Sequence, residues 1–186
     1  MSRTVRAVAL ANLAYFGVEV VVATTIGSVS LFADSVDFLE DAAVNGLILL
    51  GLHWSQRMRA RLGTALALIL LLPAVATAWT AWHSWLSGHV PASVPLSLTG
   101  FGAFAVNFIC AWALAEVRHA HGSLTKAAFL SARNDVIANV AIVAAGGLTA
   151  AFPSPWPDLV VGLGIFAMNL DAARQVFIAA RVEYRA

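Results

Sequence analysis

Ser30-Leu31-Phe32-Ala33-Asp34-Ser35-Val36-Asp37-Phe38-Leu39-Glu40-Asp41, running on through Ala42-Ala43-Val44-Asn45 into the apolar stretch 46–52, is the segment on which the fold turns. Both of its ends suit hydrocarbon, yet four carboxylates interrupt the middle. A charge at the centre of a bilayer costs at least ~2.5 kcal/mol even on the most lenient insertion scale, so such clusters mark an ion or proton pathway. The competing reading is an amphipathic helix lying on the membrane surface. Against it, Ala42 to Leu52 continues as an apolar half-span, and the basic segment Arg57–Arg61 follows where a crossing helix needs it.

The rest of the chain agrees with a membrane setting. Of 186 residues, 60% are hydrophobic and 11% charged, and the mean hydropathy is +0.82. That balance lies outside the range of soluble domains. A helix needs about 20 apolar residues to span the hydrocarbon core. Such stretches run from about Val5 to Gly27, Leu31 to Trp54, Leu62 to Trp85, Leu96 to Val117, Thr125 to Phe152 and Trp156 to Ile178. The expected fold is therefore an all-α, six-transmembrane-helix bundle forming a single domain over 1–186. The basic start of the chain leads into a stretch of spanning length without an Ala-x-Ala cleavage site, which reads as a retained first helix. The single cysteine, Cys110, excludes a disulfide framework and reads as a packing residue.

Arg3 and Arg6 precede the first stretch, Arg57, Arg59 and Arg61 join the second to the third, Arg118 and Lys126 flank the fourth connection, and Arg181 and Arg185 follow the sixth stretch. The three alternate connections contain no Lys or Arg. Short basic loops are retained in the cytoplasm, so both termini are expected there. Trp54, Trp82, Trp85 and Trp156 suit the interfaces.

At about 100° per residue, Asp34, Asp37, Asp41 and Asn45 share one helical stripe and Glu40 sits to its side. Asp37 and Asp41 are one turn apart, so their carboxylates can converge on a single cation. The fifth stretch carries a complementary stripe, Ser131, Asp135 and Asn139, with Asn134 beside it and Arg133 on another face. At 1.5 Å per residue, Asp41 lies roughly 18 Å from the inner end of its helix and Asp135 roughly 14 Å from Lys126. Both are then near the midplane. Antiparallel packing predicts Asp37 level with Asn139 and Asp41 level with Asp135. Such a site can hold a divalent cation on Asp37, Asp41 and Asp135, with Ser131, Asn139 or Asn134 as weaker contributors. Without a cation these carboxylates cannot all stay ionised in a low dielectric, so metal and protons compete for them.

Asp34, Asn45 and Glu19 are candidates for the path on either side of the site. A packing role for Glu19 is equally compatible with the sequence. Arg133, Asp171 and Arg174 read as structural ion pairs. Asn107 and Asn169 suit interhelical hydrogen bonds. Asp158, at the start of the sixth stretch, suits the helix dipole. His53, His83, His89, His119 and His121 all fall at interfaces or in loops.

The run Ser30–Asp41 resembles the second-helix signature of the cation diffusion facilitator, or cation efflux, family, in which an Asp or His precedes an Asp by four residues. Ala128–Asp135 looks like its fifth-helix partner, and Trp156-Pro157-Asp158 resembles the acidic start of its sixth helix. The resemblance implies an exporter of divalent metal ions, by proton antiport, in a multi-pass integral membrane protein of a bacterial-type inner membrane. It implies ligands at Asp37, Asp41 and Asp135. The fourth position departs, because Ser131 stands where the family usually has His. An all-oxygen set suits harder ions such as manganese better than zinc. The substrate is expected among Zn2+, Mn2+, Fe2+, Co2+ and Cd2+, with no prosthetic group. Partners expected are the bilayer, metal ions, protons and a second copy of the chain, and no nucleic acid. The family's C-terminal cytoplasmic domain is not expected, because little sequence follows the sixth stretch.

An intramembrane enzyme is disfavoured, for no His-Glu-x-x-His helix and no serine with a base is present. A non-transporting membrane partner or metal sensor remains the alternative, and Ser131 is its best support.

Overall fold

The computed structural model describes residues 2–51, 75–117 and 123–185. The described residues form six helices and no strand. They are α1 (Ser2–Ile26), α2 (Val29–Gly51), α3 (75–87), α4 (Ser93–Val117), α5 (Ser123–Ala151) and α6 (Trp156–Arg185). The third expected span, from Leu62, lies outside the described residues up to position 74. Helix α6 runs past Ile178, where the apolar stretch ends, because hydropathy limits a span but not a helix. Among the described residues, three helices are long and apolar enough to cross a membrane: Arg3–Ile26, Ser93–Ala115 and Arg133–Ala151. Helix α2 is nearly as long but carries Asp34, Asp37, Glu40 and Asp41.

Polarity is inverted relative to a water-soluble bundle. Leu10, Val21, Phe101, Ile109, Trp112, Ile137 and Leu148 are exposed by half or more of their surface. Asn12, Glu19, Asp34, Asp41, Asn45, Asn107, Asp135 and Asn139 are buried. Lipid replaces water as the partner of the apolar surface, and helices satisfy their own backbone there. On the outer face of α4, Phe101, Phe104, Phe108 and Trp112 form a ladder with ring centroids 6.2, 6.0 and 6.4 Å apart.

Helix α2 sits among its neighbours. It packs against α1 on one side and α6 on the other, and also meets α5 and α4. Beyond the polar layer, an apolar cluster of Ala23, Leu31, Leu96, Ala138, Ile142 and Ile165 draws five helices together.

The α1–α2 connection is very tight for a chemical reason. Gly27 adopts φ 65°, and the Ser28 amide reaches back to the Ala23 carbonyl at 3.0 Å, closing α1 with a Schellman bond. Ser28 Oγ then accepts the Leu31 amide at 3.2 Å and caps α2. Two other connections meet this turn. From the segment between α3 and α4, the His89 ring bonds the Ile26 carbonyl at 2.9 Å. From the start of α6, Asp158 accepts the Ser28 hydroxyl and the Val29 amide, each at 2.7 Å, the Ser30 amide at 3.2 Å and the Ser30 hydroxyl. One buried carboxylate thus serves the N-termini of both α2 and α6, where helix dipoles favour negative charge. A Cβ on Gly162 would come within 2.8 Å of the Val29 and Ser30 backbone, so only glycine permits this crossing.

Asp158→Ala leaves four donors around α2 unmatched. It is expected to destabilise the detergent-solubilised protein by about 3 kcal/mol, and Ser30→Ala by about 1 kcal/mol, read from equilibrium unfolding.

Candidate metal centre

Helix α2 presents one polar stripe to the bundle interior. Asp34 and Asn45 are fully buried, Asp41 is nearly so, and Asp37 and Glu40 are partly buried. The stripe exists because 3.6 residues per turn places 34, 37, 41 and 45 on one side. Asn45 is tied to its own helix, its amide donating to the Asp41 carbonyl at 2.8 Å. Helix α5 lies antiparallel beside α2 and turns Asp135 and Asn139 inward. Asp37 is within electrostatic reach of Asp135, Asp34, Glu40 and Asp41. Asp135 is in turn within reach of Asp41, Asp34 and Glu40.

The register between the two helices differs from that expected by counting. Asn139 Nδ2 donates to Asp34 Oδ2 at 2.6 Å, rather than lying level with Asp37. Counting from loop ends treats the two helices as equal and parallel to the membrane normal. In fact α2 begins immediately after a two-residue turn, while α5 is a 29-residue helix that runs on to Ala151.

Asn139 is also held from the other side, its Oδ1 accepting the Asn107 amide at 3.0 Å. Both ends of the Asn139 amide are therefore engaged, which fits an organiser of Asp34 more than a ligand. Asn134 is exposed and its Oδ1 accepts from Arg133 at 3.3 Å, so the fold turns it away from the buried stripe. Ser131 falls on α5 one turn before Asp135, but its side chain lies outside the described residues, as do His53, His119 and His121.

Arg133, Asp171 and Arg174 are all exposed rather than buried together. Long arginine side chains can run out to the interface and need no buried counter-ion there. Asn169 joins α6 to α2 through the Ala33 carbonyl at 3.2 Å. On α1, Asn12 accepts a weak bond from Cys110 at 3.8 Å. Glu19 is fully buried and faces Asp34.

Sequence reasoning missed two of these features. Asp158 is the acceptor for four donors 128 to 130 residues away, a relation no local pattern encodes. The Asn107–Asn139–Asp34 chain was also missed, although three polar residues in otherwise apolar helices were a signal that they must find one another.

Chemically, the interior combines carboxylates from two antiparallel helices with carboxamides that hold some of them in place. Such hard oxygen donors suit divalent cations. Among the described residues, no three His, Cys, Asp or Glu side chains are drawn close enough to share a metal ion, so the carboxylates surround the polar layer without closing on one point.

Comparison with known proteins agrees with this chemistry. Residues 5–183 match the cation efflux transmembrane domain. Zinc transporter ZitB of Yersinia pseudotuberculosis serotype I (strain IP32953) and of Yersinia pestis are each 29% identical over 132 residues. That alignment covers 64% of this chain and 42% of each relative. With almost its whole length matched, and with the acidic stripes of α2 and α5 facing one another inside an inverted bundle, the chain belongs to the cation efflux family.

Proposed function

We propose that this chain carries divalent metal cations, zinc or manganese-like, out of the cytoplasm in exchange for protons, through a site formed by Asp37, Asp41 and Asp135. The observation that carries the proposal is the facing pair of acidic stripes, with Asp37 and Asp41 on α2 set against Asp135 on α5 in the bundle interior. The names of the two Yersinia relatives, zinc transporters, support the substrate class. In the six-crossing arrangement both termini are cytoplasmic. It is supported by the meeting of the three Lys- and Arg-free connections at one end of the bundle, through the His89 and Asp158 contacts with the α1–α2 turn.

Charge explains how transport and proton exchange are linked. Three carboxylates facing one interior space repel one another, and in a low dielectric the repulsion is relieved either by a metal dication, on which they can close, or by protons. Binding the metal displaces protons and releasing it recovers them. Helix movement that opens the site to one side and then the other turns this competition into exchange. Asn139 contributes by holding Asp34 beside the site, so that the α2 stripe keeps its register with α5.

Ion choice depends on the fourth donor. With Ser131 and water beside three carboxylates, all donors are oxygen, which reduces the advantage of zinc over harder ions. Ser131→His is expected to raise the zinc-to-manganese flux ratio by about tenfold or more, measured in proteoliposomes offered Zn2+, Mn2+, Fe2+, Co2+ and Cd2+.

The ligand assignment is tested in the same vesicles. Removing even an outer-shell partner of a metal typically costs 10–100-fold, so Asp41→Asn and Asp135→Asn should each lower flux by ~100-fold or more. Unchanged flux of every ion in both variants overturns the assignment. A protein that binds metal but moves none, in wild-type form, supports a sensor or partner instead.

Acid should weaken metal binding, because protons occupy the same oxygens. Apparent affinity is expected to fall about tenfold per pH unit for each proton displaced. Flux indifferent to an imposed pH gradient would remove proton exchange from the mechanism.

A further inference from the structure

Two fully buried carboxyl groups lie outside the Asp37–Asp41–Asp135 set, and three of their four oxygens have no donor from any other described residue. Glu19 of α1 is 0% exposed, and neither of its oxygens has a hydrogen-bond partner. Asp34 of α2 is likewise 0% exposed, and its Oδ1 has none. The two groups face one another within hydrogen-bonding reach, so with no cation between them they are held together only by a shared proton, one carboxyl donating to the other. Three carboxylate oxygens therefore share one buried space.

Among the described residues, no compensating charge acts on Glu19. The charged groups acting on Glu19 are Asp34 and Asp37, both acidic. Tyr15 is within electrostatic reach of the pair, but its hydroxyl hydrogen is directed to the Thr99 carbonyl at 2.7 Å. Toward Glu19 and Asp34 its oxygen can only accept. Asp34 does not turn away to find other donors, because its Oδ2 is fixed by Asn139, whose amide orientation is set in turn by Asn107. A pair with only a packing role would be expected to have donors, since an unmatched buried polar group costs roughly 1–3 kcal/mol and an unpaired charge more.

Position adds direction. Along α2, Asp34 is three residues, about 4.5 Å, from Asp37 and about 10 Å from Asp41, on the side of the α1–α2 turn. Beyond the pair toward that turn comes the apolar cluster of Ala23, Leu31, Leu96 and Ile142. Glu19 and Asp34 thus form the last polar stop before an apolar layer. We propose that Glu19 and Asp34 form a second, weaker station for a divalent cation, where an ion leaving Asp37, Asp41 and Asp135 pauses before release at the α1–α2-turn end. The inference rests on the transport reading for the direction of travel, though not for the existence of the site. Two carboxylates in place of three give it lower affinity, and a cation held roughly 7 Å further along α2 at the first site lowers it more by repulsion. Its donors are all oxygen, so it takes hard divalent ions.

Manganese tests the proposal directly, because its free and bound forms are separated by electron paramagnetic resonance. The full chain in detergent should bind two Mn2+, the second at least ~10-fold more weakly, and the doubly loaded protein should show dipolar broadening for ions within about 10 Å of each other. Glu19→Gln should abolish the weaker phase and the broadening while leaving the tight phase within about twofold. Glu19→Asp, which keeps the carboxylate, should retain both phases. Saturation of wild type at one Mn2+, or an unchanged two-phase isotherm in Glu19→Gln, overturns the second station. Asp135→Asn separates the two ideas: loss of the tight phase alone supports both. An unchanged tight phase there, with the weak phase still lost in Glu19→Gln, sinks the Asp37–Asp41–Asp135 assignment and leaves the Glu19–Asp34 station standing.

Discussion

A carboxylate inside hydrocarbon must have a partner, and this single requirement organises the molecule. Water is absent from the lipid-facing surface, so apolar side chains such as Phe101, Trp112 and Ile137 face outward and every polar side chain of the spanning region looks for company inside. Asp34 finds Asn139, and Asn139 finds Asn107. These bonds fix α2, α5 and α4 in one register more sharply than apolar packing does, because van der Waals contact between helices in lipid gains little over contact with lipid itself. Glu19, with no hydrogen-bond partner on either oxygen among the described residues, and the mutually facing carboxylates of Asp37, Asp41 and Asp135 are then the ones suited to a mobile cation.

Asp158 shows the same requirement used for architecture. It lies at the start of α6, yet its oxygens receive the hydroxyls and amides at the start of α2. Gly162 lets the two backbones approach at this point. Helix α2 is therefore held at one end by a carboxylate that accepts four hydrogen bonds, and its acidic stripe extends away from that anchor toward α5. A transporter that exposes its site alternately to two sides needs some contacts that persist and others that change. The Asp158 joint has the chemistry of the former. The thinly partnered carboxylates along the stripe have that of the latter.

Much of this architecture was legible in the sequence because its signals are local. Apolar length locates α1, α2, α4 and α5, Gly27-Ser28 marks the first turn, and period 3.6 puts Asp34, Asp37, Asp41 and Asn45 on one face. The matching depth of the Asp135 stripe predicted the pairing of that face with α5, and family resemblance agreed with it. Relations between distant residues were not legible. Helix tilt and unequal helix length shift the α2–α5 register, so Asn139 meets Asp34 rather than Asp37. The depth of Arg133, Asp171 and Arg174 was inferred from rise alone, whereas their exposure depends on which way each face turns. Asn134 and Asn139 looked equivalent as donors in sequence, and only the rotation of α5 separates the exposed one from the buried one.

Selectivity follows from how the same oxygens are shared between structure and transport. A carboxylate that accepts a fixed hydrogen bond, as Asp34 does through one oxygen, offers fewer lone pairs to an ion than one that accepts none. Asn139 therefore grades the α2 stripe: Asp34 is partly committed, whereas among the described residues no α5 side chain donates to Asp37 in the same way. Affinity should then decline from the Asp37–Asp41–Asp135 level toward Glu19 and Asp34. Such a decline is what an exporter requires, since an ion bound equally tightly along its whole path would be captured and not released. On this view the Asn107–Asn139 chain acts on the ion indirectly, by deciding how many oxygens Asp34 can give it.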